Sequence, residues 1–291
     1  MPLLDAHLHL ADPAFADDLP AILAAARAVG VSHFVANAAC PADWPRIAQI
    51  ALDQPDVIPC FGVHPWFVNS VPPVPSPAES GRKDSASECT GGTSNYPPDW
   101  LDQLQQRLCQ QPSAIGEIGI DRWIEPRDEP LQQRVFLAQL DLAARLHRPA
   151  TIHCLRAWGW LMDLLATRPP HPAGILIHAY GGPPDLIKPL IRHNAWFSFA
   201  GNIFEPKRHT ARAAAVAAPL DRLLIETDSP DMLPPPEFRS MVHRHNNKDH
   251  NHPANLPVIL RGIAALRGQS PDDLAAAVFE NARRLFGSLL P

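Results

Sequence analysis

Two histidines stand two residues apart, His7 and His9, inside the apolar stretch LLDAHLHL at residues 3–10. On a strand, where side chains alternate between faces, this spacing sends both imidazoles to one side, where two neutral nitrogens can converge on a cation. A pair of hydrogen-bonded core histidines fits the same spacing, so the choice rests on what else the chain brings there. Further candidates lie far along the sequence: His64 in GVHP, Glu117 in GEIGID, His153 in TIHC, His178 in ILIHAY and Asp228 in ETDSP. Each follows a mostly apolar run and precedes a turn or helix. Singly, each has an ordinary explanation: His64 as a loop residue before Pro65, Glu117 as an ion-pair partner of Arg122, Asp228 as a cap. Jointly, the ordinary explanations require repeated burial of costly groups at one level of the molecule, and a shared cation offsets that cost.

Such residues meet only if the chain builds a frame that brings them together. Eight short apolar or β-branched runs recur: LLDAHLHL, SHFVANA, VIPCFGVHP, AIGEIGID, PATIHC, GILIHAY, WFSFAG and LLIETDSP. Helical patterns separate most of them, near Phe15–Val29, Asp43–Asp53, Pro130–Leu146, Trp158–Thr167, Pro184–His193 and Glu205–Ala217, and another follows near Leu256–Arg267. Strands alternating with helices imply a parallel sheet, and eight of them match an α/β fold of the TIM type, a closed (β/α)8 barrel whose chemistry sits at the C-terminal mouth. A doubly wound open sheet would place phosphate-binding glycines after its first strand, and none are there. Residues 1–291 thus read as a single barrel domain. Residues 68–98, rich in Pro, Ser and Gly, read as a long flexible loop inserted after the third strand, and residues 231–255, with HRHNNKDHNH, as a solvated loop. A last helix near Pro271–Phe286 opens with Ser270 as N-cap and Pro271 at its first position, and packs on the barrel as an addition.

The composition narrows the chemistry. A hydrophobic share of 46% with 19% charged residues excludes disorder throughout. No apolar run approaches a membrane span and no signal-peptide pattern precedes the first strand, so a cytoplasmic enzyme without membrane contact is expected. The five cysteines (Cys40, Cys60, Cys89, Cys109 and Cys154) are odd in number and widely spaced, which argues against a disulfide framework or a Cys-rich zinc site. A net charge of -5 provides no global attraction for a polyanion, although a local phosphate site remains open. Four imidazoles and two carboxylates without a thiolate suit Zn²⁺, Mn²⁺ or Fe²⁺, and Mg²⁺ if water completes the shell. A glutamate amid such a set can bridge two ions roughly 3.5–4 Å apart, the spacing used in phosphoester displacement.

In this order, DAHLHL, GVHP, GEIGID, IHC, ILIHAYGG, ETDSP, ANLP and NARRLF resemble the TatD family of metal-dependent deoxyribonucleases, within the amidohydrolase-like barrels. The likeness runs from Leu4 to Phe286 apart from the two loops. It implies that His7, His9, Glu117, His153, His178 and Asp228 are metal ligands, that His64 contacts substrate, and that DNA or another phosphodiester is hydrolysed with two divalent ions (Zn, Mn or Mg). Two departures stand out. The family commonly reads NEP before ANLP, where this chain has Asn251, His252 and Pro253, and the arginine often found two residues after the fifth-strand histidine is Leu155 here, with Arg156 shifted by one.

On this reading His7, His9 and Asp228 hold one ion, His153 and His178 the other, and Glu117 bridges. Asp228 and Glu117 are the catalytic carboxylates, with Asp228 accepting the proton of the attacking water, while His64 and Arg156 contact phosphate and the enzyme works as a monomer. Trp66, Trp123 and Trp158 follow strand ends and read as rim packing before base stacking. A rival keeps barrel and metal but takes a small amide, lactone or phosphoester; Glu117, where a carboxylated lysine could stand, leans toward phosphoesters. A non-catalytic binding protein has no physical need for the complete set of six ligand-type residues.

Overall fold

The computed structural model describes residues 1–71 and 99–290. Eight parallel strands lie side by side in chain order: β1 (Leu3–Leu8), β2 (Val31–Asn37), β3 (Val57–Phe61), β4 (Ala114–Asp121), β5 (Ala150–Leu155), β6 (Ile175–Ile177), β7 (Ala195–Phe199) and β8 (Leu223–Ile225). The chain just beyond β8 returns to β1, where the Asp228 amide donates to the His7 carbonyl at 3.0 Å and the His9 amide to the Ser229 carbonyl at 2.8 Å. These bonds close the sheet into a TIM-type barrel and join two of the candidate stretches directly.

Around it lie α1 (Leu19–Ala28), α2 (Trp44–Asp53), α3 (Trp100–Gln110), α4 (Glu129–Arg145), α5 (Trp158–Ala166), α6 (Ile187–Ile191), α7 (His209–Ala217), α8 (Leu256–Arg267) and α9 (Pro271–Phe286). Among the described residues no helix is long and apolar enough to cross a membrane. Ser270 caps α9 by accepting from the Asp273 amide, with Pro271 at the first helical position, as its sequence implies. Gly268, at φ 63°, ends α8 in the left-handed region that glycine adopts without penalty.

One core cluster packs the strands' outer faces against the helices. A second joins Leu4, Val35, Ile58, Ala114, Leu176, Trp196 and Leu224 with Ala282, Leu285 and Phe286 of α9. Residues of seven strands meet one another only across the barrel interior, and these sit in the N-terminal halves of most of their strands. The last helix therefore plugs the N-terminal end of the barrel.

Three sequence expectations change. Helix α3 stands where no helix is expected, because only Trp100, Leu104 and Leu108 anchor it, a narrow stripe in an otherwise polar segment. The insertion begins later than residue 68, since Val68, Asn69 and Ser70 belong to a 3-10 helix, Pro65–Ser70, and residues 72–98 lie outside those described. The stretch 231–255 carries an antiparallel hairpin, β9 (His243–His245) with β10 (Lys248–His250).

Candidate metal centre

Two short irregularities in the barrel prepare the site. The β1–β2 register shifts between Asp5 and Leu8, on either side of His7, and the β4–β5 register shifts between Ile115 and Ile118, on either side of Glu117. Such shifts re-aim a side chain out of the regular alternation. Glycines make the second one possible. A Cβ on Gly116 would lie 1.9 Å from Thr151 Oγ1 and 2.7 Å from Asn37 Oδ1, and one on Gly119, whose φ is +151°, would lie 2.0 Å from the His153 carbonyl oxygen. The GEIG motif is thus a steric requirement that lets β4 press against β5 while Glu117 faces the cluster. Asp228, in the tight chain beyond β8, adopts φ 55°, a left-handed conformation that aspartate tolerates better than most residues.

The named residues converge. Glu117 Oε2 lies 3.2 Å from His7 Nε2 and 3.3 Å from His9 Nε2, and both nitrogens approach Asp228 Oδ1, at 3.6 and 3.4 Å. The other carboxylate oxygen, Oε1, lies 2.8 Å from His178 Nε2, 3.0 Å from His153 Nδ1 and 3.3 Å from His64 Nε2. One glutamate therefore presents each of its oxygens to a separate group of imidazoles, and three-residue sets on both sides could hold a metal ion. Arg156 does not join them: it is exposed, at φ 56° just past β5, and makes no hydrogen bond or ion pair among the described residues. Nor does Arg122 pair with Glu117; its partner is Glu129, at 3.0 Å.

Hydrogen bonds on the far side of the rings fix which nitrogen faces inward. His9 Nδ1 lies 3.2 Å from the Asn37 carbonyl, and His153 Nε2 lies 2.9 Å from Asp121 Oδ2. Since a carbonyl or carboxylate needs a donor, these nitrogens carry the proton, and in the neutral rings the lone pairs of the opposite nitrogens point at Glu117. Lone pairs facing a carboxylate repel unless a positive charge lies between them. Asp228 Oδ1, buried and without a hydrogen-bond donor, adds a further unmet acceptor. The donor set fits a divalent cation. His64 differs: its Nδ1 accepts from the Trp66 amide at 3.2 Å, so the neutral ring carries its proton on Nε2 and turns a donor toward the cluster. That geometry suits an anionic oxygen better than a cation.

The electrostatics agree. Burial opposes charge on Glu117, yet the surrounding imidazoles, His178 foremost, outweigh it and hold the carboxyl well below its usual range. Burial also opposes charge on His9, His153 and His178, but their carboxylate partners prevail and raise all three. Without a cation, protons take up the role of positive charge. Burial dominates at His64, which falls to about 4 and stays neutral.

With this geometry established, comparison with known proteins is decisive. The family described as TatD related DNase matches residues 4–287. The chain belongs to the TatD family. This TatD-family chain is 30% identical over 290 residues to a protein of Erwinia tasmaniensis named 3'-5' ssDNA/RNA exonuclease TatD, covering 98% of the chain and 99% of that relative. It is 28% identical to a human protein named deoxyribonuclease TATDN3, covering 99% and 95%. In fold it matches the Escherichia coli TatD homologue YjjV with a TM-score of 0.80, at 24% identity and 98% coverage of both chains.

Several residues that shape the site in this TatD-family chain escape the sequence reading. Asp121 ends GEIGID and orients His153; Glu226 opens ETDSP and accepts from the Ala179 amide at 2.7 Å and from the Ser198 hydroxyl; Asn37 receives His9. Asp121 and Glu226 lie inside the quoted motifs, but the groups they bond lie far along the chain. The position of the family's usual acidic residue holds a buried His252, which accepts from the Ala254 amide and is pushed down to about 4 by burial and by His243.

Proposed function

We propose that this chain is a divalent-metal-dependent nuclease that hydrolyses phosphodiester bonds in single-stranded DNA or RNA. The observation that carries the reading is Glu117 dividing its oxygens between His7 and His9 on one side and His153 and His178 on the other. In this proposal His7, His9 and Asp228 would hold one ion, His153 and His178 would hold a second, and Glu117 would serve both. Bound divalent ions, Zn²⁺, Mn²⁺ or Mg²⁺, lower the pKa of water and neutralise charge on phosphoryl and leaving oxygens.

The protein's own groups do the rest. Asp228 Oδ1, lacking a donor, accepts the proton of the attacking water. His64 donates from Nε2 to a phosphate oxygen, and the free guanidinium of Arg156 reaches a neighbouring phosphate. Asp121 holds His153 in the required tautomer. The site is complete within one chain, so we assign activity to the monomer, and we place it in the cytoplasm.

Purified protein supplied with Mn²⁺, Mg²⁺ or Zn²⁺ and an end-labelled single strand provides the test. Metal-dependent shortening of the strand is expected. An inert strand with all three ions, together with turnover of a lactone or amide, would overturn the reading.

A further inference from the structure

Seven tryptophans serve this chain, and five of them (Trp44, Trp100, Trp158, Trp160 and Trp196) are buried or half-buried. The remaining two, Trp66 and Trp123, are 44% and 50% exposed, and they touch each other, with ring centroids 5.9 Å apart and planes inclined by 35°. Water-exposed indole faces forgo hydrophobic stabilisation, so a pair left open in contact needs a reason. Their position supplies one. Trp66 stands edge-on to His64 at 5.1 Å and to His153 at 6.4 Å, so the rings run outward from the metal centre, Trp66 first and Trp123 beyond it.

The pair is also held rigidly. Trp66 Nε1–H donates to Asp121 Oδ2 at 2.7 Å, the same oxygen that meets His153 Nε2, while Asp121 Oδ1 accepts from the backbone amides of Trp123 and Ile124. One carboxylate thus positions a candidate metal ligand, one exposed indole and the turn that carries the other. Core or rim packing would need neither open faces nor this tie to the site. Arg156 lies beside the same turn, since Leu155 pairs with Asp121 in the β4–β5 ladder.

We propose that Trp66 and Trp123 form a base-stacking shelf that holds the nucleobase of the strand-end nucleotide whose phosphodiester lies at the metal centre. The proposal rests on the nuclease reading and deepens it. Every base offers a π-face, so the shelf grips a single strand without reading its sequence, and a paired base in a duplex cannot lie on it until it unstacks. Because the Trp66 indole and the turn that carries Trp123 are tied to Asp121 before substrate arrives, less ordering is lost on binding.

The test uses the full chain with Mn²⁺ and two strands that differ only in whether the 3'-terminal nucleotide has a base. In the parent, the abasic end raises KM about tenfold or more, the range expected for loss of one aromatic stack. Trp123→Ala brings the two KM values to within about twofold of each other by raising that of the normal strand, and Trp123→Phe restores the difference. In a second measurement, a phosphorothioate strand ending in 2-aminopurine loses fluorescence on binding the parent and Trp123→Phe, and keeps it with Trp123→Ala. A parent that cleaves normal and abasic ends with equal KM overturns the shelf and leaves the nuclease standing. A parent that cleaves no strand at all removes the nuclease reading, and unquenched 2-aminopurine then removes the shelf as well. Quenching that survives Trp123→Ala overturns the shelf in either case.

Discussion

Glu117 is the residue on which both halves of the site depend, since its two oxygens face both imidazole groups. Glu117→Gln keeps its shape and removes its charge, and is expected to lower kcat/KM by about 10²-fold or more under saturating metal. Asp121→Asn acts at one remove, through the tautomer of His153, and a loss of about 10- to 100-fold in metal affinity or activity is expected from titration of metal-free protein. Protons should leave as metal enters. Because His9, His153 and His178 are raised without a cation, metal competes with protons for them, and affinity climbs as pH rises. Calorimetry in buffers of different ionisation enthalpy reads the protons released; none released at pH 7 would contradict this picture. At this scale the seven convergent residues were legible because ligand-type side chains on apolar strands are costly without a purpose. Their outer partners were not, since Asp, Glu and Asn at strand ends have many ordinary uses.

Among the elements, β4 carries the heaviest geometric demand. Its glycines at 116 and 119 leave no room for a methyl group beside Thr151 and His153, and both obstacles belong to β5. Gly119→Ala is expected to cost more than the ~1–3 kcal/mol of ordinary overpacking, because backbone blocks the new carbon and the φ is unfavourable too. A fall of several degrees in melting temperature, with loss of activity beyond what instability explains, would confirm that β4 is shaped for Glu117. The β/α alternation was readable because each strand is a short, nearly continuous apolar run, the mark of a sheet covered on both faces. Helix α3 was not, its three anchors being too few to set a period beside a Pro- and Ser-rich stretch. The hairpin at His243–His250 was hidden for a related reason: strands of three half-exposed polar residues leave no hydrophobic alternation to read.

For the whole molecule, the two ends of the barrel respond differently to acid. Remote from the metal centre, His171 is buried with neither ring nitrogen hydrogen-bonded, and burial, with His147 nearby, pushes it down to about 4. An unfolded histidine binds its proton near pH ~6.5, so the unfolded chain takes up more protons between that value and about 4, and folding stability falls as pH falls through this window. The loss amounts to about 3 kcal/mol at most. His171→Leu should match the parent at pH 7 and lose less stability at pH 4.5, measured by urea unfolding at the two pH values. Equal acid losses would show that His171 stays neutral in both states or finds a partner. Helix α9 seals the end opposite the metal centre with Leu285 and Phe286, a role its amphipathic pattern suggested only as packing on the barrel.

Manganese diffused into crystals of this protein, located by its anomalous scattering, addresses the central claim most directly. Two peaks are predicted roughly 3.5–4 Å apart, one beside each oxygen of Glu117, the first ringed by His7, His9 and Asp228 and the second by His153 and His178. A map with no peak at Glu117, or with manganese only at His243, His245 and His250, would contradict the account.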